Sequence, residues 1–484
     1  MPLIDPTRRR PDHGPGPLGG GRAAVLEPAT GDALAEIEHA APADVAPAAA
    51  RAAEAQPAWA AAGHIARAAV LRRAAALFEE HADELRTWLV RESGSIPGKA
   101  DFELHVAVQE CHEAAALASR PTGQVLRSES ARHSFTERRP AGVVGVIAPF
   151  NAPLILAIRS VAPALALGNA VLLKPDPRTA VCGGLALAAV FEAAGLPPGL
   201  LTVLPGDGAV GAALVTDPAV RVVSFTGSTA VGRTVGELAG RTLTRAHLEL
   251  GGNSALLVLA DADLEAAVAQ ASWGSFFHQG QICMTAGRHL VHASRYDEYV
   301  ERLAARAEAL AVGDPYRDRV HLGPLIDRRQ LDRVRSLVTR SLEHGAKAVA
   351  GGVHEDDTLF HRPTVLAGCG EDTPAWTEEV FGPVAPVRPF ETEDEAVALA
   401  SAGPYGLSLG IVTADAARGL ALADRIPTGI AHVNDQTVND EAVAPFGGLG
   451  ASGTGARFGG EANLDAFTEL RWTTLRATAP AHPF

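Results

Sequence analysis

The amino-acid sequence predicts an α/β fold whose first large unit is an open, mostly parallel, Rossmann-like sheet. From Gly142 onward, short runs rich in β-branched residues alternate with alanine-rich stretches of helical length. This alternation is typical of βαβ units, whose strands pair in parallel. The chain has 484 residues, of which 47% are hydrophobic, so it can bury a large core divided between two or three domains.

The elements are expected in a definite order along the chain. Residues 43–118 carry apolar side chains at helical spacing and are expected to form covering helices. The expected strands of the first sheet are 143–147, 171–173, 201–204, 220–225 and 247–250. A further strand at 255–259 opens a second α/β region, and Asp261 is the expected N-cap of the helix after it.

Bulk composition narrows the partners and the compartment. A net charge of −14 leaves no basic surface for a nucleic acid, and no apolar run reaches the roughly 18 residues that a membrane-spanning helix needs. The four cysteines are widely scattered, which indicates a reducing compartment and disfavours disulfides and a structural metal site. We therefore expect a cytoplasmic, soluble protein that needs no metal, nucleic acid or membrane.

One cysteine stands in a setting that differs from a hydrophobic core. Residues 276–288 place Cys283 among glycines, amides and small side chains. A free cysteine is more often a small buried hydrophobe, so this run is by itself only a moderate indication of a nucleophile. Two other segments strengthen it.

Those segments supply a carboxylate and an amide. Glu249 ends an apolar segment and is followed by the pair Gly251 and Gly252, which would let the backbone turn sharply. Asn151 lies at the junction between a strand-like run and a helix-like one. A thiol, a carboxylate and an amide donor are together sufficient for acyl chemistry.

In order and spacing, Cys283, Glu249 and Asn151 resemble the aldehyde dehydrogenase superfamily. Further matches at 173–175, 225–229, 379–383, 445–448 and 452–453 extend the resemblance along nearly the whole chain. It implies that Cys283 attacks the aldehyde and that the Asn151 amide and the Cys283 backbone N–H hold the oxyanion. Hydride would pass to a nicotinamide cofactor, and Glu249 would activate the water that hydrolyses the thioester.

The resemblance also implies a cofactor site. Residues 227–232 lack the usual Rossmann glycine fingerprint, but they lie between a strand and a helix and can offer backbone N–H groups to a pyrophosphate. By resemblance, Lys174 binds the adenine-side ribose, Glu379 binds the nicotinamide ribose, and Phe381 packs near the nicotinamide ring. The other implied cofactor residues are Ala148, Pro149, Phe150, Pro175, Asp176, Gly208, Phe225, Thr226, Gly227, Ser228, Val231, Leu250 and Gly251.

The identity of the cofactor depends on one departure from the family pattern. Many NAD-specific relatives carry a glutamate three residues after the lysine, whereas this chain has Pro177. Without that carboxylate the 2′-phosphate of NADP meets less repulsion, and Arg178 could attract it. NAD is expected, and NADP is left open.

The resemblance implies a division into domains and an oligomer. An NAD(P)-binding domain would comprise residues 1–121 and 141–252, and a catalytic domain residues 253–445. Residues 122–140 and 465–484 would form an oligomerisation sheet, and 446–464 would return to the cofactor domain. Residues 467–475 alternate like an edge strand, which is a liability unless it is paired, so a homodimer or homotetramer is expected.

Two segments, 174–180 and 433–441, resemble the benzaldehyde and vanillin dehydrogenase branch, which implies an aromatic aldehyde substrate. The residues themselves support this through an apolar mouth around Asn151 and Cys283. The residues of the mouth are Phe150, Ile155, Ile282 and Met284. Arg159, one helical turn beyond Ile155, could touch a polar ring substituent or serve only the structure.

Several alternatives stay open. The chain could oxidise aliphatic or amino aldehydes, or pass the acyl group to coenzyme A, although relatives that do so commonly lack the carboxylate that Glu249 provides. It could also be a binding protein that kept the fold. His278, five residues before Cys283, invites a Cys–His pair, which Glu249 and Asn151 make unnecessary.

Overall fold

The structure is a computed structural model that describes residues 2–7, 17–353, 357–456 and 458–482. Its helices are α1 (Pro42–Ala61), α2 (His64–Glu80), α3 (Ala82–Ser93), α4 (Pro97–Leu117), α5 (Pro153–Ala166), α6 (Ala186–Ala193), α7 (Gly208–Thr216), α8 (Thr229–Thr242), α9 (Leu264–Phe276), α10 (Tyr296–Glu308), α11 (Arg328–Glu343), α12 (Pro374–Thr377), α13 (Glu393–Ser401), α14 (Ala416–Ala423) and α15 (Ala462–Phe467).

Its strands are β1 (Arg22–Leu26), β2 (Ala33–Glu38), β3 (Val125–Leu126), β4 (His133–Pro140), β5 (Val143–Ile147), β6 (Ala170–Lys174), β7 (Leu201–Val203), β8 (Val220–Thr226), β9 (Arg245–Glu249), β10 (Ser254–Val258), β11 (Ala286–His292), β12 (Lys347–Ala350), β13 (Thr364–Ala367), β14 (Val384–Phe390), β15 (Tyr405–Gly406), β16 (Ser408–Val412), β17 (Ile430–Val433), β18 (Leu449–Gly450) and β19 (Thr468–Leu475). None of the helices in the described ranges combines the length and the apolar character that a membrane crossing demands.

A five-stranded parallel sheet in the order β7-β6-β5-β8-β9 organises the first half of the chain. Every residue of β5 and β6 is buried, because helices cover both faces of a sheet of this kind. The strand order reverses between β5 and β8. In an open parallel sheet the crevice at such a reversal, beyond the carboxyl ends of the strands, is where ligands bind.

The second sheet has seven strands in the order β12-β13-β14-β11-β10-β16-β17, and only β12 runs antiparallel to its neighbour. The predicted α/β fold with mostly parallel sheets is therefore confirmed. The predicted helix cap is wrong: Asp263, not Asp261, accepts the backbone N–H groups of Glu265 and Ala266. A turn from Leu259 to Ala262 delays the helix, and Asp261 accepts the Thr413 hydroxyl instead.

A third sheet has the order β19-β4-β3 and is separate from the first two. Two-stranded sheets, β1-β2 and β15-β18, bring the number in the described part of the chain to five. Strand β19 pairs antiparallel with β4 along its whole length, from Thr468 opposite Pro140 to Leu475 opposite His133. The other edge of β19 is unpaired among the described residues. Leu470 and Trp472, two positions apart on this strand, are each 62% exposed.

The segment between β18 and β19 crosses back to the first sheet. The backbone N–H of Leu250 donates to Ser452, and that of Thr454 donates to Leu248. Gly453 forms a bridge with Glu249 at the end of β9. These contacts hold the carboxyl end of β9 from the side opposite to β8.

Candidate active site

A cavity of about 810 Å³, the central cavity, opens at the carboxyl edge of the five-stranded sheet. Asn151, Cys283 and Glu379 line it, although they come from three separate parts of the chain. All of the sequence-predicted cofactor residues except Pro175 line it as well: Ala148, Pro149, Phe150, Lys174, Asp176, Gly208, Phe225, Thr226, Gly227, Ser228, Val231, Leu250, Gly251, Glu379 and Phe381.

The loop that carries Cys283 is held in an unusual backbone conformation. His278 and Gln279, directly after α9, have φ angles of 50° and 57°, in the left-handed region that non-glycine residues rarely adopt. The Gln279 side chain donates to the carbonyls of Gly94 at 3.1 Å and Pro324 at 2.8 Å. These bonds offset the backbone strain and turn the chain back so that Cys283 faces the cavity.

Cys283 is partly buried, whereas the other three cysteines are fully buried. The pKa of its thiol is raised to about 12, first by burial and then by the carboxylates of Glu379 and Glu249, while Arg159 opposes them. The thiol is therefore neutral at rest. It needs either a base or a nearby positive charge before it can act as a nucleophile.

Asn151 follows β5 and precedes α5, and only 4% of it is exposed. Its main-chain carbonyl accepts a hydrogen bond of 2.7 Å from the ammonium of Lys99. Its side chain belongs to the wall of the same cavity as Cys283. The arrangement allows an amide N–H donor to act beside the thiol.

Glu249 ends β9 and is buried. It is not among the residues that line the central cavity, although its charge acts on Cys283. The glycine pair after it is required for close packing. A Cβ atom on Gly252 would lie 2.5 Å from the Cys283 carbonyl oxygen, and one on Gly251 would lie 2.2 Å from Glu379 Oε2. Neither glycine has a positive φ. The pair is therefore explained by the close approach of neighbouring atoms rather than by the expected sharp turn.

The first turn of α8 meets the cavity and has the features of an anion site. Ser228 is the N-cap and its hydroxyl accepts the backbone N–H of Val231. Gly232 allows the Leu250 side chain to pack closely, because a Cβ there would lie 2.2 Å from Leu250 Cδ2. The backbone N–H groups and the positive end of this 14-residue helix suit a phosphate group, so these residues fit a dinucleotide.

Lys174 and its neighbours form another part of the wall. The Lys174 ammonium donates to the Pro175 carbonyl at 3.2 Å, and burial lowers the pKa of this lysine. Pro175 itself does not line the cavity, which contradicts its predicted contact with the cofactor. The Pro175 ring packs instead against Gly184, because a Cβ atom on Gly184 would lie only 2.7 Å from Pro175 Cγ.

Arg178 lines the cavity but is already paired. Its guanidinium binds Asp176 through two nitrogens at 2.8 and 2.9 Å and Asp327 at 2.6 Å, and it stacks 4.2 Å from the ring of Phe150. The sequence left open whether Arg178 attracts a 2′-phosphate. The structure argues against this attraction, because two carboxylates neutralise the charge of the guanidinium.

Glu379 and Phe381 enter the cavity from the second α/β region. Glu379 Oε1 accepts the Gly252 N–H at 3.0 Å, and burial raises the pKa of this carboxyl to about 7. Phe381 has a φ of 56° and its ring meets that of Phe150 edge-on, with centroids 5.9 Å apart. The Gln330 amide donates to the Phe381 carbonyl at 2.7 Å and holds this strained residue.

Several polar residues of the cavity wall escaped the sequence analysis, among them Arg329, Gln330, Arg333 and Tyr405. Gln330 and Arg333 come from α11, and Arg333 donates to the Glu379 carbonyl at 2.8 Å. Tyr405 comes from β15. Helix α11 has an ordinary amphipathic pattern, so no local signal separates these side chains from a solvated polar face.

Only one of the four residues predicted to form an apolar mouth lines the central cavity. Of its members, Phe150 lines the central cavity, whereas Ile155, Ile282 and Met284 do not. Ile282 and Met284 belong to an apolar cluster that packs around Cys283, and Ile155 is buried in α5. The cluster contains Ile282, Cys283, Met284, Leu407, Ile430, Val438, Phe446 and Phe458.

Arg159 also lies outside the central cavity. It is 1% exposed and pairs with the carboxylate of Asp440, with Glu110 at 3.9 Å. Its guanidinium lies 4.7 Å from the ring of Phe446. Of the two roles that the sequence left open for Arg159, the structural one fits this buried ion pair at the edge of the apolar cluster, and the charge of Arg159 also acts on Cys283.

The imidazole of His278 is fully buried and lies beside the backbone of Asn151 and the charge of Lys99. Burial, reinforced by Lys99, lowers the pKa of His278 well below its usual range. The carboxylates that act on Cys283 are Glu379, Glu249 and Asp440.

The fold and this set of residues define a pyridine-nucleotide-dependent dehydrogenase with a cysteine nucleophile. Residues 19–473 match the model of the aldehyde dehydrogenase family, and the chain belongs to that family. The chain is 69% identical to a vanillin dehydrogenase of an Amycolatopsis species, across 96% of each chain. It is 48% identical to a benzaldehyde dehydrogenase [NAD(+)] of Pseudomonas putida, across 96% of this chain and 95% of that one.

Solved structures agree with this assignment. An NAD+ complex of an aldehyde dehydrogenase from Bacillus cereus superposes with a TM-score of 0.92 at 32% identity, covering 95% of this chain and 94% of that one.

Proposed function

We propose that this protein oxidises an aromatic aldehyde of the benzaldehyde or vanillin type to its carboxylic acid, with NAD as the cofactor. The observation that carries the proposal is that Cys283, Asn151 and Glu379 line one cavity at the strand reversal, beside the positive end of α8. The relatives that bear vanillin and benzaldehyde dehydrogenase names support the substrate class.

In the proposed reaction, the thiol of Cys283 gives its proton to solvent water in the open central cavity, and its sulfur attacks the aldehyde carbon. The amide of Asn151 and the backbone N–H of Cys283 hold the oxyanion of the resulting adduct; one donor of this kind is worth about 10²–10³ in rate. NAD, when bound, accepts the hydride that leaves the adduct. A thioester on Cys283 remains.

Glu249 completes the reaction. Its carboxylate takes a proton from a water molecule, and the oxygen of that water attacks the thioester carbon. The carbon–sulfur bond then breaks, which releases the acid and restores Cys283. The NAD-binding residues proposed here are Lys174 toward the adenine-side ribose, the α8 N-terminus toward the diphosphate, and Glu379 and Phe381 toward the nicotinamide end.

The apolar cluster around Cys283 is the proposed place of the aromatic ring. Phe446, Phe458 and Met284 are buried there, and burial of apolar area stabilises by roughly 25 cal/mol per Å². Acetaldehyde would bury little area. The buried pair of Arg159 and Asp440 at the edge of this cluster is the nearest polar contact for a ring substituent.

The enzyme is proposed to act in the cytoplasm as a homodimer or homotetramer. The unpaired edge of β19, with Leu470 and Trp472 exposed, supports an assembly through the third sheet. Four cysteines without a disulfide support a reducing compartment.

A substrate panel tests the function. Benzaldehyde, vanillin and their hydroxylated relatives should exceed acetaldehyde in kcat/KM by at least about tenfold, partly through a lower KM, because the ring buries more apolar area. Steady-state assays with NAD should include acetaldehyde and a betaine-type cationic aldehyde. Faster turnover of either of these two would overturn the aromatic substrate and leave the dehydrogenase chemistry in place.

A further inference from the structure

A buried ion pair on α4 touches the segment that carries the oxyanion donor. Lys99 and Glu103 lie one helical turn apart, are 2% and 0% exposed, and bind each other directly. Two buried charges do not by themselves stabilise a fold better than apolar side chains of the same size would. The contacts that the pair makes with the neighbouring backbone are therefore a better explanation of these two charges than stability is.

Lys99 and Glu103 hold the backbone on both sides of Ala152. The Lys99 ammonium donates to the Asn151 carbonyl at 2.7 Å. The second oxygen of Glu103 accepts the N–H groups of Leu154 at 3.0 Å and Ile155 at 3.3 Å. These are the orphan donors at the start of α5, whose own N-cap, Ala152, has no side chain that could accept them.

The same pair meets the loop of the nucleophile. His278 begins the strained turn that leads to Cys283, and its buried imidazole lies beside the Asn151 backbone, where the charge of Lys99 acts on it. The amide of Asn151 is thus fixed from behind by α4 and bounded by the Cys283 loop. A displacement of about 1 Å in such a group can cost about a hundredfold in rate.

We propose that Lys99 and Glu103 are positioning residues, which fix the backbone of Asn151 so that its amide meets the oxyanion formed on Cys283. This inference rests on the proposed function, in which Asn151 is the oxyanion donor. It assigns to α4 a part in catalysis, although none of its residues lines the central cavity.

The double variant K99M/E103Q is the first test. It removes both charges together, so neither is left buried alone, and the glutamine amide oxygen can still accept the N–H groups of α5. The lost contact is the one between Lys99 and the Asn151 carbonyl. We expect the pre-steady-state rate of NADH formation to fall at least about tenfold, with the dissociation constant of NAD unchanged within about threefold, since neither Lys99 nor Glu103 lines the central cavity.

A cycle with Asn151→Ala separates positioning from general damage. In the N151A background the double variant should change the rate by less than about twofold, because the group that it positions is gone. Equal losses in both backgrounds would mean a merely structural role and would overturn the inference. If N151A itself kept the wild-type rate, the proposed role of Asn151 would fail instead, which is a separate result.

Glu92→Gln is the matched control. Glu92 is also a fully buried carboxylate that binds two backbone N–H groups, those of Val181 and Cys182, but it does not touch Asn151. Its variant should keep the NADH rate within about threefold, and any loss should be the same with and without Asn151. If K99M/E103Q does not fold, Lys99→Arg replaces it: the same contrast between backgrounds is expected, and its absence would overturn the inference.

Discussion

At the residue scale, the reactive thiol is suppressed by its own surroundings. Desolvation and the carboxylates of Glu379 and Glu249 raise the pKa of Cys283 to about 12, so the resting enzyme holds a neutral thiol. This protects the cysteine from side reactions until a base or a positive charge is present.

Glu249→Gln should separate the two halves of the reaction. We predict a burst of reduced cofactor close to one equivalent per active site, because thiol attack and hydride transfer precede the water step, followed by steady turnover about 10²–10⁴-fold slower than in the wild type. Stopped-flow absorbance gives the burst, and intact-protein mass spectrometry shows an acyl group on Cys283. Asn151→Ala is the contrasting variant and should slow the burst itself. An unaltered steady rate in E249Q would assign hydrolysis to another base.

At the scale of elements, the turn after β6 supplies the side chains that are expected near the adenine-side ribose of the cofactor. Strand β6 ends at Lys174, and the following 3₁₀ turn, Pro177–Thr179, has Asp176 as its cap. Arg178 in this turn is neutralised by Asp176 and Asp327. The turn therefore offers neither the usual repelling glutamate at position 177 nor a free cation.

Cofactor choice should be correspondingly loose. We predict that NADP is used measurably beside NAD, with a preference for NAD of about a hundredfold or less, which is about 2.7 kcal/mol. The measurement is kcat/KM with each cofactor. Pro177→Glu should lower the value for NADP at least about tenfold more than that for NAD, whereas the neutral control Pro177→Gln should not. Complete rejection of NADP by the wild type would show that another group excludes the 2′-phosphate.

At the scale of the whole molecule, three of the five sheets in the described residues bear on the site and on assembly. The five-stranded sheet presents the cofactor edge, the seven-stranded sheet carries the Cys283 loop and Glu379, and the third sheet leaves a free edge at β19. The central cavity lies where the first two units meet. An unpaired edge strand with exposed apolar residues is a pairing surface for another chain.

Assembly through β19 is therefore open to a direct test. Light scattering after gel filtration should give a dimer or tetramer for the wild type, and L470E/W472E should shift it to smaller species because charges are placed on an apolar interface. Leu420→Glu is the matched control, since Leu420 is 59% exposed on α14, far along the chain from this strand. A monomeric wild type, or an equal shift in the control, would contradict the assembly.

The sequence by itself was enough for the α/β class and for the strands of the first sheet to within about two residues, and it led to the hypothesis that Cys283, Glu249 and Asn151 act together. Each of these features depends on a short stretch of sequence. A run of β-branched residues, a glycine pair or a strand-to-helix junction can be recognised within about ten residues, because periodicity and turn chemistry act at short range.

Only the tertiary structure decided which side chains neutralise one another. Arg159 meets Asp440, 281 positions away, and Arg178 meets Asp327, so each charge is paired, a point that the sequence left open. Gln330 and Arg333 join the cavity because α11 packs beside Phe381, and Lys99 reaches Asn151 because α4 packs on α5. Such pairings depend on how distant elements dock, and charge and burial at one residue do not specify its partner.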